Sequence, residues 1–160
     1  WLYLPALKRV KRITSDNRSG SFVGSEFAYE DLGSQELEKY KDRKYLRKEA
    51  CPNNNELDCH VISRVPTEKS SGYKYQMLWL DDTSAHKVWK IDYFDRKGSH
   101  LKTLFFDDYK MYLDKHWRPS IYKMINHQTG KSTDLLVQNI KFKVGLSTRD
   151  FNPKSLSRVR

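Results

Sequence analysis

The chain has 160 residues, with 30 Lys and Arg against 20 Asp and Glu, and a net charge of +10. This length accommodates one domain with a hydrophobic core, and the charge favours anionic partners such as nucleic acid, phospholipid headgroups or acidic proteins. Aromatic residues make up 13% of the chain and lie in alternating runs, which excludes a disordered chain. No stretch approaches the roughly 20 apolar residues of a membrane-spanning helix.

The N-terminal part is predicted to hold short elements joined by turns. The segment from Trp1 to Ile13 begins as a strand, is broken at Pro5 and continues through Val10. Residues 15–21 are polar and are predicted to form a loop. Because the chain opens in the middle of a strand-like run, we expect the signal peptide and the first part of the domain to lie outside these residues.

A short helix is predicted from Ser25 to Gly33. Ser25 can cap its N-terminus, and Gly33 ends it. Phe27 and Leu32 would then lie on one side of the helix. A further turn of helix is predicted within residues 34–41.

The rest of the chain is predicted to be β. Alternating apolar and polar residues bounded by turn residues indicate half-buried strands. The fold class is therefore mostly β (α+β), a curved antiparallel sheet with short helices. The predicted strands are Tyr45 to Cys51, Cys59 to Val65, Tyr73 to Leu80, Lys87 to Phe94, Leu101 to Tyr112, Trp117 to Ile125 and Thr133 to Val144.

The two cysteines, Cys51 and Cys59, are predicted to form a disulfide. They flank the turn-rich segment 52–58 between two strand-like runs, which places them at the mouth of a hairpin loop within bridging distance. Closing so short a loop stabilises a fold by about 2–3 kcal/mol, and a disulfide implies an oxidising compartment. The alternative is a pair of free thiols in a cytosolic protein.

One hairpin can be placed in register from its turn. The sequence Asp95-Arg96-Lys97-Gly98 suits a type I turn with Gly98 in the left-handed conformation. This turn predicts an apolar face and, on the opposite face, an ion pair between Asp92 and Lys102. The cross-strand pairs predicted for the apolar face are Tyr93 with Leu101, Ile91 with Thr103, and Trp89 with Phe105.

The predicted sheet has an apolar face that needs to be covered. Two short helices cannot cover about seven strands, so either segments outside the chain complete the cover or the sheet curls around a space. A curved sheet lined by aromatic residues makes a hydrophobic pocket. The alternative is an ordinary filled core.

No motif predicts catalysis, a cofactor or a metal site. Gly130-Lys131-Ser132-Thr133 resembles the end of a phosphate-binding loop, but the earlier glycine is absent and a strand follows, so no helix N-terminus is available. The five histidines have neither helical nor zinc-finger spacing. The chain has no motif of the kind found in RNA-recognition sheets. The aromatic residues of the hairpin placed in register lie on the face opposite the charged residues, so nucleic-acid binding is disfavoured.

Several segments together resemble the LolA-like outer-membrane lipoprotein-sorting proteins. The longest and most specific is the N-terminal one, and the similarity extends over nearly all 160 residues. The segments are Trp1-Leu2-Tyr3-Leu4-Pro5-Ala6-Leu7-Lys8-Arg9-Val10, Ser19-Gly20-Ser21-Phe22, Tyr29-Glu30-Asp31-Leu32, Leu78-Trp79-Leu80-Asp81, Asp92-Tyr93-Phe94-Asp95, Asn126-His127-Gln128-Thr129-Gly130 and Val144-Gly145-Leu146-Ser147.

The resemblance implies a half-open antiparallel β-barrel around helices, with a hydrophobic cavity between them. It implies one LolA-like domain over residues 1–160, in the periplasm of a Gram-negative bacterium, with the first part of that domain missing. Better-known relatives carry lipoprotein acyl chains, and members of this branch are often encoded beside efflux-type transporters. Lipid or lipoprotein acyl chains are therefore the expected ligand, and an inner-membrane transporter is an expected partner.

Two groups of residues are the predicted ligand contacts. The sheet side of the cavity is predicted to comprise Trp89, Ile91, Tyr93, Leu101 and Phe105, and a lid over it Phe22, Phe27 and Leu32. Each of these residues could equally belong to a plain core. Anionic headgroups are predicted to contact a basic cluster formed by Lys8, Arg9, Lys11 and Arg12. The alternative functions are an adaptor subunit of an envelope transporter, with a filled core, and a nucleic-acid-binding module.

Overall fold

The computed structural model of the chain describes residues 1–156. Its main element is a curved, open sheet of seven antiparallel strands in sequential order. This confirms the predicted fold class. Among the described residues, no helix is both long enough and apolar enough to cross a membrane.

Residues 1–156 contain nine strands, and within this range each strand pairs only with its sequence neighbours. The first two form a separate hairpin, β1 (Leu2–Leu4) and β2 (Arg9–Lys11). The large sheet comprises β3 (Tyr40–Cys51), β4 (Asn54–Pro66), β5 (Tyr73–Asp81), β6 (Val88–Asp95), β7 (His100–Tyr112), β8 (His116–Asn126) and β9 (Ser132–Leu136). The last predicted strand, which was expected to reach Val144, therefore ends early.

Helical structure in residues 1–156 is confined to short turns. The 3₁₀ turns are Pro5–Leu7, Ser15–Asn17, Leu37–Lys39 and Thr148–Phe151, and one short α-helix, α1, covers Pro153–Leu156.

The prediction of a helix from Ser25 to Gly33 is wrong. Residues 21–36 form a non-helical segment, which we call the covering loop. The Ser25 hydroxyl donates to the carbonyl of Phe22 and accepts from the Phe27 amide. The Phe22 amide also donates to the Phe27 carbonyl, 2.7 Å away. These local turns, and tertiary contacts of the side chains, replace the helical hydrogen bonds.

The turn at residues 95–98 has the predicted geometry, but the pairing of the two strands that it joins differs from the predicted register. Gly98 has φ of 92° and its amide donates to the Asp95 carbonyl. A β-bulge then shifts the pairing between β6 and β7, so that Tyr93 lies opposite Lys102 and Ile91 opposite Leu104. Because side chains alternate along a strand, this one-residue shift moves the alternate set of β7 side chains to the inner face.

The two faces of the sheet bury different clusters. The inner face, on the side of the covering loop, carries a core that includes Tyr93, Leu104 and Met124. The outer face carries a second cluster at the β3–β4 end, formed by Cys51, Cys59, Val61, Trp79 and Trp89. Cys51 and Cys59 form the predicted disulfide within this second cluster, so the bridge ties the hairpin tip to buried aromatic side chains.

Candidate functional site

A cavity of about 960 Å³ lies on the inner face of the sheet, between the strands and the covering loop. Cross-strand partners in the sheet form rows that run perpendicular to the strands. One such row, the first apolar row, crosses β4 to β8 and consists of Ile62, Leu78, Ile91, Leu104 and Met124. All of these except Met124 line the cavity, so the row forms its floor.

A second apolar row lies next to the first and is less covered. Its members are half-buried, and all of them line the cavity. Phe106 and Tyr122 contact each other edge-to-face, with ring centroids 5.4 Å apart. The row consists of Leu80, Val88, Phe106, Tyr122 and Leu135. Half-buried apolar side chains around an open space leave a surface that an apolar ligand could cover.

A polar row flanks the first apolar row on its other side. Its members are again cross-strand partners, and four of the five are buried. The row consists of Arg64, Gln76, Tyr93, Lys102 and Asn126. The inner face is therefore amphipathic across the sheet: polar side chains lie at one end of the strands and apolar side chains at the other.

At its centre, the polar row is neutralised by the covering loop. The Lys102 ammonium lies 2.7 Å from Asp31 Oδ2 and donates to the carbonyl of Glu26. The Tyr73 hydroxyl donates to Asp31 Oδ1, 2.6 Å away. Burial, with the nearby Asp31 charge, raises the pKa of Tyr73 well above its usual value, so the phenol remains a donor. This buried ion pair fixes the loop over the sheet.

Further along the row, Asn126 also binds the covering loop. Its side-chain amide donates to Glu26 Oε2 at 2.7 Å, and the Glu26 amide donates to the hydroxyl of Thr133. Glu30 accepts hydrogen bonds from the Ser71 hydroxyl and the Gly72 amide. The covering loop is therefore attached to the sheet at several independent points.

Arg64, at the opposite end of the polar row, has only neutral partners. Its Nε donates to Gln76 and its Nη2 to Gln35. Its guanidinium carbon lies 3.4 Å from the centre of the Tyr40 ring. Burial lowers the pKa of Arg64 below its ordinary value, but an arginine still keeps its charge in the neutral range.

The structure places four of the predicted contact residues around the cavity. Ile91 and Tyr93 line it from the sheet, and Phe27 and Leu32 line it from the covering loop. Phe27 is almost fully buried, whereas Leu32 is 43% exposed. That these four residues contact a ligand remains a prediction.

The other predicted contacts lie elsewhere. Trp89 and Phe105 were predicted to face the cavity, and this is wrong: Trp89 packs in the outer cluster and donates to Asp81, and Phe105 pairs with Lys90 on the outer face. Leu101 and Phe22 pack against the inner core without lining the cavity. Two register shifts, one at each end of β6, cause the wrong assignments on the sheet.

Sequence reasoning missed the residues that take these places on β7. Lys102, Leu104 and Phe106 point inward, and Asp92 pairs with Lys90 on the outer face instead of with Lys102. The run Leu104-Phe105-Phe106 is apolar on both faces, so alternation alone does not fix its orientation. The only available signal was the turn, and the bulge follows immediately after it.

Three solved structures resemble this chain. A domain assigned to the outer-membrane lipoprotein-sorting proteins, from Vibrio parahaemolyticus, has 52% identity and a TM-score of 0.90, covering 99% of this chain and 65% of that chain. A DUF1329 family protein from Desulfovibrio piger has 26% identity and a TM-score of 0.84, covering 98% and 63%. A LolA superfamily protein from Nitrosomonas europaea has 18% identity and a TM-score of 0.60, covering 83% and 60%, and it shows similarity of fold alone.

The fold is therefore similar to that of an outer-membrane lipoprotein-sorting domain and of a LolA superfamily protein, which confirms the resemblance found in the sequence. A family model described as "Uncharacterized protein" matches residues 1–158, and the chain belongs to this family. The chain spans less than two thirds of each solved relative. Among curated proteins, none matches it.

Proposed function

We propose that the protein is a periplasmic carrier or binder of lipid or lipoprotein acyl chains and performs no covalent chemistry. The observation that carries this proposal is the open cavity on the inner face, which is lined by side chains of the two apolar rows. Its volume of about 960 Å³ lies within the range of roughly 300–1,000 Å³ that is typical of ligand pockets.

The hydrophobic effect supplies enough affinity for such a ligand. Each methylene group transferred from water into an apolar site contributes about 0.8 kcal/mol, so a long acyl chain binds without polar recognition of its tail. The four members of the first apolar row that line the cavity lie on four neighbouring strands, which at about 4.8 Å per strand gives a floor roughly 14 Å long. A large part of an extended acyl chain fits along such a floor.

The proposal includes a periplasmic location and the absence of catalysis. The Cys51–Cys59 disulfide suits an oxidising compartment, and the Vibrio parahaemolyticus relative is described as a lipoprotein-sorting domain of the outer membrane. Within residues 1–156, no group of three or more His, Cys, Asp or Glu is placed to hold a metal ion.

The β1–β2 hairpin is a proposed contact for membranes or partners. It carries the basic cluster of Lys8, Arg9, Lys11 and Arg12, and all four side chains are exposed. Exposed cations attract anionic headgroups at a membrane surface, and this hairpin would meet them while the cavity faces a donor or acceptor. An inner-membrane transporter is the proposed partner in this exchange.

Mass spectrometry of bound lipid tests the proposal. The protein should be purified from the envelope of its own cells without detergent, then extracted and analysed, with an unrelated periplasmic protein purified in parallel as the control. We expect an acyl lipid in near-stoichiometric amount in this protein alone. Absence of bound lipid, together with failure of the delipidated protein to bind added fatty acids, would contradict the proposal and favour an adaptor role.

A further inference from the structure

Arg64 is a buried cation without a counter-ion. The side chain is only 7% exposed, and no carboxylate among residues 1–156 forms an ion pair with it. Its neighbours Gln35, Gln76 and Tyr40 are neutral. Lys102, the other buried cation of the same row, has Asp31 as its partner. Because burying an unpaired charge is strongly unfavourable, buried charges normally have a partner, and at Arg64 the fold does not supply one.

Two hydrogen-bond donors at this position remain available. Nη1 of Arg64 and the hydroxyl of Tyr93 form no hydrogen bond with any of the described residues. Arg64 and Tyr93 both line the cavity, and they lie on either side of Gln76 in the polar row. Burial raises the pKa of Tyr93 well above its ordinary value, which keeps its proton in place. A guanidinium and a phenol can both donate hydrogen bonds to an oxyanion.

The position of Arg64 relative to the apolar rows suits an amphiphile. Ile62, two residues before Arg64 on β4, belongs to the first apolar row. Residues two apart on a strand lie on the same face about 6.8 Å from each other. A headgroup at Arg64 would therefore continue directly into a tail lying along the two apolar rows.

The net positive charge of the cavity lining also favours an anionic ligand. Among the residues that line it, five are Lys or Arg and two are Asp. One of those carboxylates, Asp31, is already bound to Lys102 and Tyr73. The cations are Arg43, Arg64, Lys87, Lys115 and Arg118, of which Lys87 is paired with Asp81. Such a lining attracts anions and repels cations as they enter.

We propose that Arg64 and Tyr93 form a headgroup subsite that binds the carboxylate or phosphate of an anionic single-chain amphiphile, whose tail occupies the cavity. This inference rests on the proposed function and narrows it, since a lipoprotein's acyl chains would need no anionic contact at this position. The ligand supplies the counter-ion that Arg64 lacks.

Three ligands of equal chain length test the subsite: laurate, dodecyl phosphate and dodecanol, each titrated against the delipidated protein. We expect both anions to bind at least about tenfold more tightly than the alcohol, because hydrogen bonds to charged groups are among the strongest. Arg64→Gln should weaken both anions at least about tenfold and leave dodecanol within about twofold. Tyr93→Phe should weaken the anions by a few-fold, and Arg64→Lys should keep much of the preference.

Arg47→Gln is the matched control, since Arg47 is an exposed arginine on β3 that does not line the cavity, and it should leave all three affinities unchanged. Equal affinity of wild-type protein for the three ligands would overturn the subsite, and so would an equal loss of all three in Arg64→Gln. Failure of wild-type protein to bind even dodecanol would instead contradict the proposed function. The relative affinities for laurate and dodecyl phosphate identify the headgroup.

Discussion

Replacing Asp31 with alanine is expected to lower the free energy of unfolding by about 3–5 kcal/mol. The substitution leaves the ammonium of Lys102, a residue that is only 4% exposed, without its carboxylate. It also removes the acceptor for the Tyr73 hydroxyl and the Ala28 amide. Urea-induced unfolding, followed by Trp fluorescence, measures this change.

Two further variants separate the buried charge from a general loss of contacts. Glu36→Ala removes the carboxylate of an exposed pair with Lys39 in the same region, and we expect it to cost less than about 1 kcal/mol. Asp31→Ala combined with Lys102→Met should be more stable than Asp31→Ala alone, because the double variant has no unpaired buried charge. A double variant no more stable than Asp31→Ala would contradict this account of the loop.

Replacing Leu80 with aspartate is expected to reduce affinity for a long-chain fatty acid at least about 100-fold. Leu80 is a half-buried member of the second apolar row and lines the cavity. An acyl chain lying over it would have to desolvate the new carboxylate, at a cost of about 3 kcal/mol or more. Binding to the delipidated protein can be measured by calorimetry.

The control for this variant is a leucine away from the cavity. Leu46 on β3 is 42% exposed and does not line the cavity, so Leu46→Asp should keep the wild-type affinity. Leu80→Met preserves the apolar surface and should bind within a few-fold of wild type. Unchanged affinity in a folded Leu80→Asp protein would mean that the tail does not cross this row.

The features that depend on local patterns could be predicted from the sequence. Alternation of apolar and polar residues located the strands of the large sheet, and the turn residues between Cys51 and Cys59 located the disulfide hairpin. The turn ending at Gly98 also has the predicted geometry. These features are set by residues close together in the sequence, where side-chain chemistry and backbone conformation are directly related.

The features that depend on contacts between distant parts of the chain could not be predicted from the sequence. The helix predicted from Ser25 does not form, because Asp31 and Glu26 bind strands β5, β7, β8 and β9, which lie far along the chain. The inward orientation of Lys102 follows from a bulge, and a lysine would not be expected on a buried face without knowledge of its partner Asp31. Tertiary contacts overrode local propensity in both cases.

The candidate site was predicted in outline and not in detail. A cavity on the apolar face of a curved sheet was expected, and Ile91, Tyr93, Phe27 and Leu32 line it. The polar row was not expected, since Arg64 and Gln76 belong to strands whose pairing could not be derived from the sequence. That the polar row lies beside the apolar rows on one face of the sheet can be seen only when the register of five strands is known.

Photo-crosslinking tests the central claim most directly, namely that an acyl tail occupies the cavity on the inner face. A palmitate analogue with a diazirine near its methyl end should be bound to the delipidated protein, irradiated, and mapped to single residues by mass spectrometry. We expect adducts on the second apolar row, at Leu80, Phe106 or Tyr122, and their loss when unlabelled palmitate competes. Adducts confined to the outer face, for example at Trp79, or adducts that palmitate does not displace, would contradict the claim.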